Sequence, residues 1–154
     1  KALDIIKAVS SRDWGADCSV LLQLYRSLVR SKLDYGCVVY GSAPKSYLKQ
    51  LNTIHHQGLR LSLGAYRTSP VESLYVAADE PPLENRRIKL SLQYVTKLHA
   101  NPSNPAFDCV FNPSYPELYH RKRKMIKPLG LRIQHHLKAA DLDLNSIAKK
   151  NSLQ

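Results

Sequence analysis

Cations dominate the reactive and ligand-binding side chains of this sequence. Arg60, Arg67, Arg86, Arg87 and Lys89 fall within stretches that carry strong helix signals, and a denser run, Arg121, Lys122, Arg123 and Lys124, follows His120. Guanidinium and ammonium groups suit phosphate oxygens, which they hold by charge-assisted hydrogen bonds without reading a base. Each position also has a plainer role. Arg60 lies between Leu59 and Leu61, so it can point to solvent or pair with an acid. Arg67 just precedes Ser69, where its fork and nearby backbone amides could share one phosphate. Arg86 and Arg87 diverge by about 100° on a helix, so one of them is expected to pair with an acid such as Glu84 or to pack its stem. The run from Arg121 to Lys124 reads as a solvated linker, with a nuclear-localisation signal or an RNA contact as the alternatives.

Chemistry beyond binding lacks its parts. A two-metal polymerase centre needs converging carboxylates, yet Asp79-Glu80 sits beside Pro81 and Asp141-x-Asp143 lies near the end of the chain. Both acid pairs are expected to be solvated. No Tyr-x-Asp-Asp turn and no set of ribonuclease H acids is present. Gly36 and Gly41-Ser42 have the glycine spacing of a phosphate loop but no lysine to reach the phosphates. The adjacent pairs His55-His56 and His135-His136 splay their rings on a helix, a poor arrangement for a single metal. No Gly-x-Ser-x-Gly elbow occurs, and Cys37 has no histidine close by in sequence to activate it. Cys18, Cys37 and Cys109 stand far apart and are expected to be buried or half-buried thiols without disulfide or metal. The expectation is therefore a chain with no active site and no cofactor of its own.

The net charge of +11 in 154 residues is uneven. Residues 1–119 hold 14 Lys or Arg against 10 Asp or Glu, whereas 120–154 hold 9 against 2. A basic excess favours polyanions through counterion release. No apolar run approaches the roughly 20 residues of a membrane span, and no signal peptide opens the chain, so an intracellular location is expected and a membrane partner is not.

The segments that carry these cations read as helices. Leu3, Ile5, Ile6 and Val9 form a short apolar stripe that ends before Gly15. Asp17 is placed to cap a second helix, with Val20, Leu21, Leu24, Tyr25 and Leu28 on its buried face, bent or broken near Gly36 and running on to Tyr40. A third opens at Ser42-Ala43-Pro44, with Tyr47, Leu48, Leu51, Ile54, Leu59 and Leu63 as its apolar stripe, and stops at Gly64. Ser69-Pro70-Val71-Glu72 has the residue types of a capping box, and a short helix should follow to Ala78. Pro81-Pro82 starts another, which Asn101 to Pro105 closes. Tyr35, Tyr40 and Tyr66, beside glycines or near them, are expected mainly to fill the core, with base stacking or sugar contact as the alternative. The fold class is all-α: a small antiparallel, thumb-like helical bundle over residues 1–111, then a basic, largely irregular extension over 112–154 with a weak helix near 131–139.

Several ordered blocks together carry a resemblance. Trp14-Gly15-Ala16-Asp17, Leu24-Tyr25, Leu33-Asp34-Tyr35-Gly36, Leu59-Arg60-Leu61, Gly64-Ala65 with Arg67-Thr68-Ser69-Pro70, Leu74, and Pro82-Leu83 with Arg86-Arg87 resemble the segment after the palm in jockey-like non-LTR retrotransposon reverse transcriptases. Lys127-Pro128-Leu129-Gly130 resembles the spacer that precedes ribonuclease H in related proteins. The resemblance covers residues 1 to about 111. It implies a non-catalytic thumb and connection segment that holds the backbone of an RNA–DNA or RNA template–primer duplex for a palm elsewhere in the same parent chain. That parent would be an RNA-directed DNA polymerase using divalent metal such as Mg2+, acting in the nucleus at the integration step of an active element. Two other readings stand beside it: a domesticated or decayed helical module that binds protein, and an independent basic RNA-binding protein that uses its tail.

Overall fold

The structure is a computed structural model that describes residues 1–11, 15–121, 125–141 and 143–146. Lys122, Arg123 and Lys124 of the basic run, and Trp14 of the resemblance, lie outside the described residues. Among the described residues the regular elements are helical and no strand occurs, so the fold is all-α. The helices are α1 (Ala2–Val9), α2 (Cys18–Leu24), a π-helical turn (Tyr25–Arg30), α3 (Ser31–Asp34), α4 (Cys37–Tyr40), α5 (Lys45–Leu63), α6 (Val71–Ala78), α7 (Leu83–His99), α8 (Ala106–Phe111), α9 (Pro116–Arg121), α10 (Leu129–Ala139) and a 3₁₀ turn (Leu144–Ser146).

The helix ends follow local chemistry. The Asp17 carboxylate accepts from the Ser19 amide at 3.1 Å and caps α2. Gly64, at φ 62°, terminates α5 in the left-handed conformation, and the Ala65 amide returns to the Arg60 carbonyl at 3.0 Å. Gly36, at φ 67°, marks the break between α3 and α4. The capping box does not form. Pro70 occupies the cap position of α6 without a side-chain bond, and the Ser69 carbonyl instead accepts from Arg60.

Contacts group the chain into two compact units, one of residues 1–37 with 43–86 and the other of 38–42 with 87–154. The packing thus divides inside α7, at Arg86, and not at residue 111 where the change in composition falls.

The first unit closes around Ile6, Leu21, Tyr25, Val29, Leu59, Leu74 and Ala78. Leu21, Tyr25 and Val29 recur every fourth residue, a period that drifts around an α-helix. The π-helical turn from Tyr25 adds a residue per turn and holds them to one side. Val20, expected inside, is exposed. On α5 the buried positions are His55, Gly58, Leu59 and Ser62, while Tyr47 and Ile54 of the expected stripe are exposed. The reason is Tyr25. Its ring lies so close to α5 that a Cβ on Gly58 would stand 2.7 Å from Cδ2 and Cε2, and its hydroxyl hydrogen-bonds to Nδ1 of His55. Ser62 Oγ donates to the Leu21 carbonyl at 3.2 Å on the same face.

A chain of ion pairs ties the π-helical turn to the segments on either side of Pro81-Pro82. Glu80, expected to be solvated, is only 3% exposed. Its carboxylate accepts from Arg26 Nε at 2.6 Å and from Arg30 Nη1, and Arg26 Nη2 also donates to the Ala78 carbonyl at 3.0 Å. Arg30 lies 3.9 Å from Asp34, and Asp34 accepts both Nε and Nη2 of Arg86. A carboxylate buried this deeply requires such partners.

The second unit closes around Val95, Ile133 and Leu137, with Leu92, Val110, Phe111, Leu129 and Leu144 packed against them. The described part of 112–154 is therefore more regular than expected. The helix near 131–139 begins earlier, at Leu129, and contributes two of the three buried core positions. Gly130 has a specific cause, since a Cβ there would overlap the Val110 carbonyl oxygen.

Two stability measurements check this packing. Gly58→Ala is expected to lower the unfolding free energy by about 1–3 kcal/mol in urea titration, although alanine alone would favour the helix by about 1 kcal/mol. Glu80→Ala should cost about 3 kcal/mol in the same titration, near the low end for a broken buried pair because Arg26 and Arg30 keep some access to water.

Candidate nucleic-acid interface

With His55, Gly58, Leu59 and Ser62 turned inward, the neighbouring face of α5 forms one wall of a cleft. Thr53, His56, Gln57, Arg60 and Leu61 line it from the helix, and Ala65 and Arg67 line it from the following loop; its volume is about 590 Å³. The helical residues recur at three- and four-residue steps and so form one stripe. Two of the sequence candidates, Arg60 and Arg67, come together here.

The two arginines are held differently. Arg60 is half-buried, with Nη2 donating to the Ser69 carbonyl at 3.0 Å. That bond ties the last turn of α5 to the loop before α6. Arg60 Nε is buried and has no hydrogen-bond partner among the described residues. Arg67 is exposed, at the second position of a turn closed by Ser69 N donating to Tyr66 O at 3.1 Å. Its guanidinium makes no hydrogen bond or ion pair among the described residues. A fixed cation beside a free one, over a concave surface, can clamp a single anion.

The other candidates stand elsewhere. Arg86 is committed to Asp34, and its acid is therefore not Glu84; this pairing holds its guanidinium charged even more firmly than usual. Arg87 is half-buried, with Nη1 unpartnered among the described residues, and belongs with Lys89 to the second unit. Lys89 and Arg121 are exposed.

The tyrosines depart from the core role expected for them. Tyr35 is 87% and Tyr66 84% exposed, while Tyr40 is half-buried. Tyr66 thus stands uncovered beside Arg67. Cys37 is buried as expected, but Cys18 and Cys109 are exposed; among the described residues none of the three is in a disulfide. Asp79, Asp141 and Asp143 are exposed, in keeping with solvated acids. Among the described residues no group of three or more His, Cys, Asp or Glu is placed to hold a metal ion, and no helix is long and apolar enough to cross a membrane.

His55 and His56 each take a tyrosine. His55 is 1% exposed, bonded to Tyr25 and stacked on the Tyr75 ring at 5.6 Å. His56 Nε2 and Tyr75 Oη lie 2.7 Å apart. Burial, with His56 adding to it, lowers the His55 pKa to about 4; burial, then Arg60, lowers that of His56. The Tyr25 phenol is raised by burial and by Glu80. Thr53, His56 and Gln57 were not legible in the sequence as cleft residues. The signal was their stripe with Arg60, which lay one face away from the stripe taken as apolar.

No known protein family, curated protein or solved structure matches the chain.

The buried imidazole gives a pH dependence of stability. Neutral His55 is favoured in the fold, whereas the unfolded chain protonates it near pH 6.5. Stability from this group is complete above that pH and is lost as pH falls toward 4. Urea unfolding at pH 7 and pH 5 should differ by about 2 kcal/mol, and His55→Gln should flatten the difference.

Proposed function

We propose that the chain is the non-catalytic thumb and connection segment of a jockey-like non-LTR retrotransposon reverse transcriptase. In this role it holds the sugar–phosphate backbone of an RNA–DNA or RNA template–primer duplex for a palm domain of the same parent chain. The observation that carries the reading is the meeting of Arg60 and Arg67 on one cleft. The two belong to separate blocks of the resemblance, and the fold makes one cationic surface of them.

The physical roles follow. Arg67, free and exposed, presents its fork to the non-bridging oxygens of a phosphate. Arg60 stays oriented by its bond to the Ser69 carbonyl and adds a second positive charge from the cleft wall. The exposed Tyr66 ring next to Arg67 offers a face to a sugar or base. None of these groups reads a base edge in a duplex, which suits an element that must grip every sequence passing through it. The parent polymerase would supply the metal-dependent chemistry, with Mg2+, and would act in the nucleus at integration.

A second reading, a helical module that binds protein, draws on the exposed Tyr47 and Val76 of the first unit. One experiment separates the two. Fluorescence anisotropy of the 154-residue chain with a short RNA–DNA hybrid should show weak, sequence-independent binding whose log affinity falls with log salt by about 0.7–0.9 per phosphate neutralised. Arg67→Glu should weaken binding on every sequence and lower that slope by about one contact. A flat salt titration, or an unaffected Arg67→Glu variant, would refute the thumb reading.

A further inference from the structure

We propose that His56 is a third ligand of the phosphate held by Arg60 and Arg67, and that the cleft takes up a proton when it binds. This rests on the reading of the cleft as a phosphate site and adds the means by which pH controls it. His56 lies one helical turn before Arg60 and lines the same cleft. Its Nε2 is anchored by the Tyr75 hydroxyl at 2.7 Å, and the two rings meet edge to face with centroids 5.7 Å apart. The imidazole therefore has a fixed orientation, and Nδ1 makes no hydrogen bond among the described residues.

The surrounding groups set the sign. Arg60 and His55 on α5, Glu72 and Tyr75 on α6, and Arg67 from the turn are the titratable and charged groups around His56. In the free protein, burial and then the Arg60 charge disfavour the protonated imidazole, with Glu72 opposing them. An anion between the two arginines offsets those positive charges and gives a protonated ring an acceptor. Tyr75 can accomplish the change without moving, because its hydroxyl can either donate to Nε2 or accept from Nε2–H. Protonated His56 then donates through Nε2 to Tyr75 and through Nδ1 to the phosphate. Binding and protonation are reciprocally linked, so affinity rises as pH falls.

The test is anisotropy of the full chain with a fixed RNA–DNA hybrid at constant salt between pH 8 and pH 6. The internal phosphodiesters of the hybrid do not titrate in this range, and circular dichroism at each pH verifies that the fold persists. The chain should bind about tenfold more tightly at pH 6 than at pH 8. His56→Gln, which keeps a donor for Tyr75, should bring the pH 6 affinity down to the parent's pH 8 level. The His135→Gln/His136→Gln double variant should titrate like the parent. The proposal is overturned if the parent is flat with pH or if His56→Gln keeps the slope. In either case loss of binding in Arg67→Glu leaves the phosphate reading standing, whereas an unaffected Arg67→Glu variant removes both.

Discussion

The contact between Tyr25 and α5 is the constraint from which the rest of the first unit follows. A phenol ring approaches a helix this closely only where the helix offers a glycine, and its buried hydroxyl needs a partner at the end of its reach. Gly58 and His55 meet both needs from positions three residues apart on α5. Once those two residues face inward, helical geometry turns Thr53, His56, Gln57 and Arg60 toward the cleft. The candidate site is thus the outward consequence of an internal packing choice.

The ion-pair chain from Arg26 through Glu80, Arg30 and Asp34 to Arg86 belongs to a different level of the structure. Its hold comes from burial, because a carboxylate as enclosed as Glu80 must keep its guanidinium partners. Arg26 and Arg30 both project from the π-helical turn. The irregularity that keeps Leu21, Tyr25 and Val29 together also presents two guanidiniums to one carboxylate. The same network removes Arg86 from the pool of cations open to a ligand, and it separates a structural arginine from binding candidates of the same residue type.

The legible and illegible parts of the fold divide along physical lines. Gly64 as a stop, Asp17 as a cap and the break at Gly36 were readable, because each depends on backbone conformation within one turn of the residue concerned. The helix near residue 131 was readable from Leu131, Ile133 and Leu137, although its place in a core was not. Apolar periodicity misplaced the buried face of α5, since it counted Tyr47 and Ile54 and gave no weight to His55, Gly58 and Ser62. Of the site, Arg60 and Arg67 were legible as cations in helix-rich blocks; their convergence and the membership of His56 were not.

Helical character, most helix starts and stops, and the strongly positive charge follow from the order of residues alone. These properties are set by residues near one another along the chain. The inward face of α5, the burial of Glu80 against the exposure of Tyr35 and Tyr66, and the choice of which arginine is committed to an acid emerge from long-range packing. Those outcomes turn on partners 30 to 54 positions apart, such as Tyr25 with His55 and Arg26 with Glu80. No local pattern encodes such a pairing, because the free energy that selects it exists only when the distant groups have already been brought out of water together.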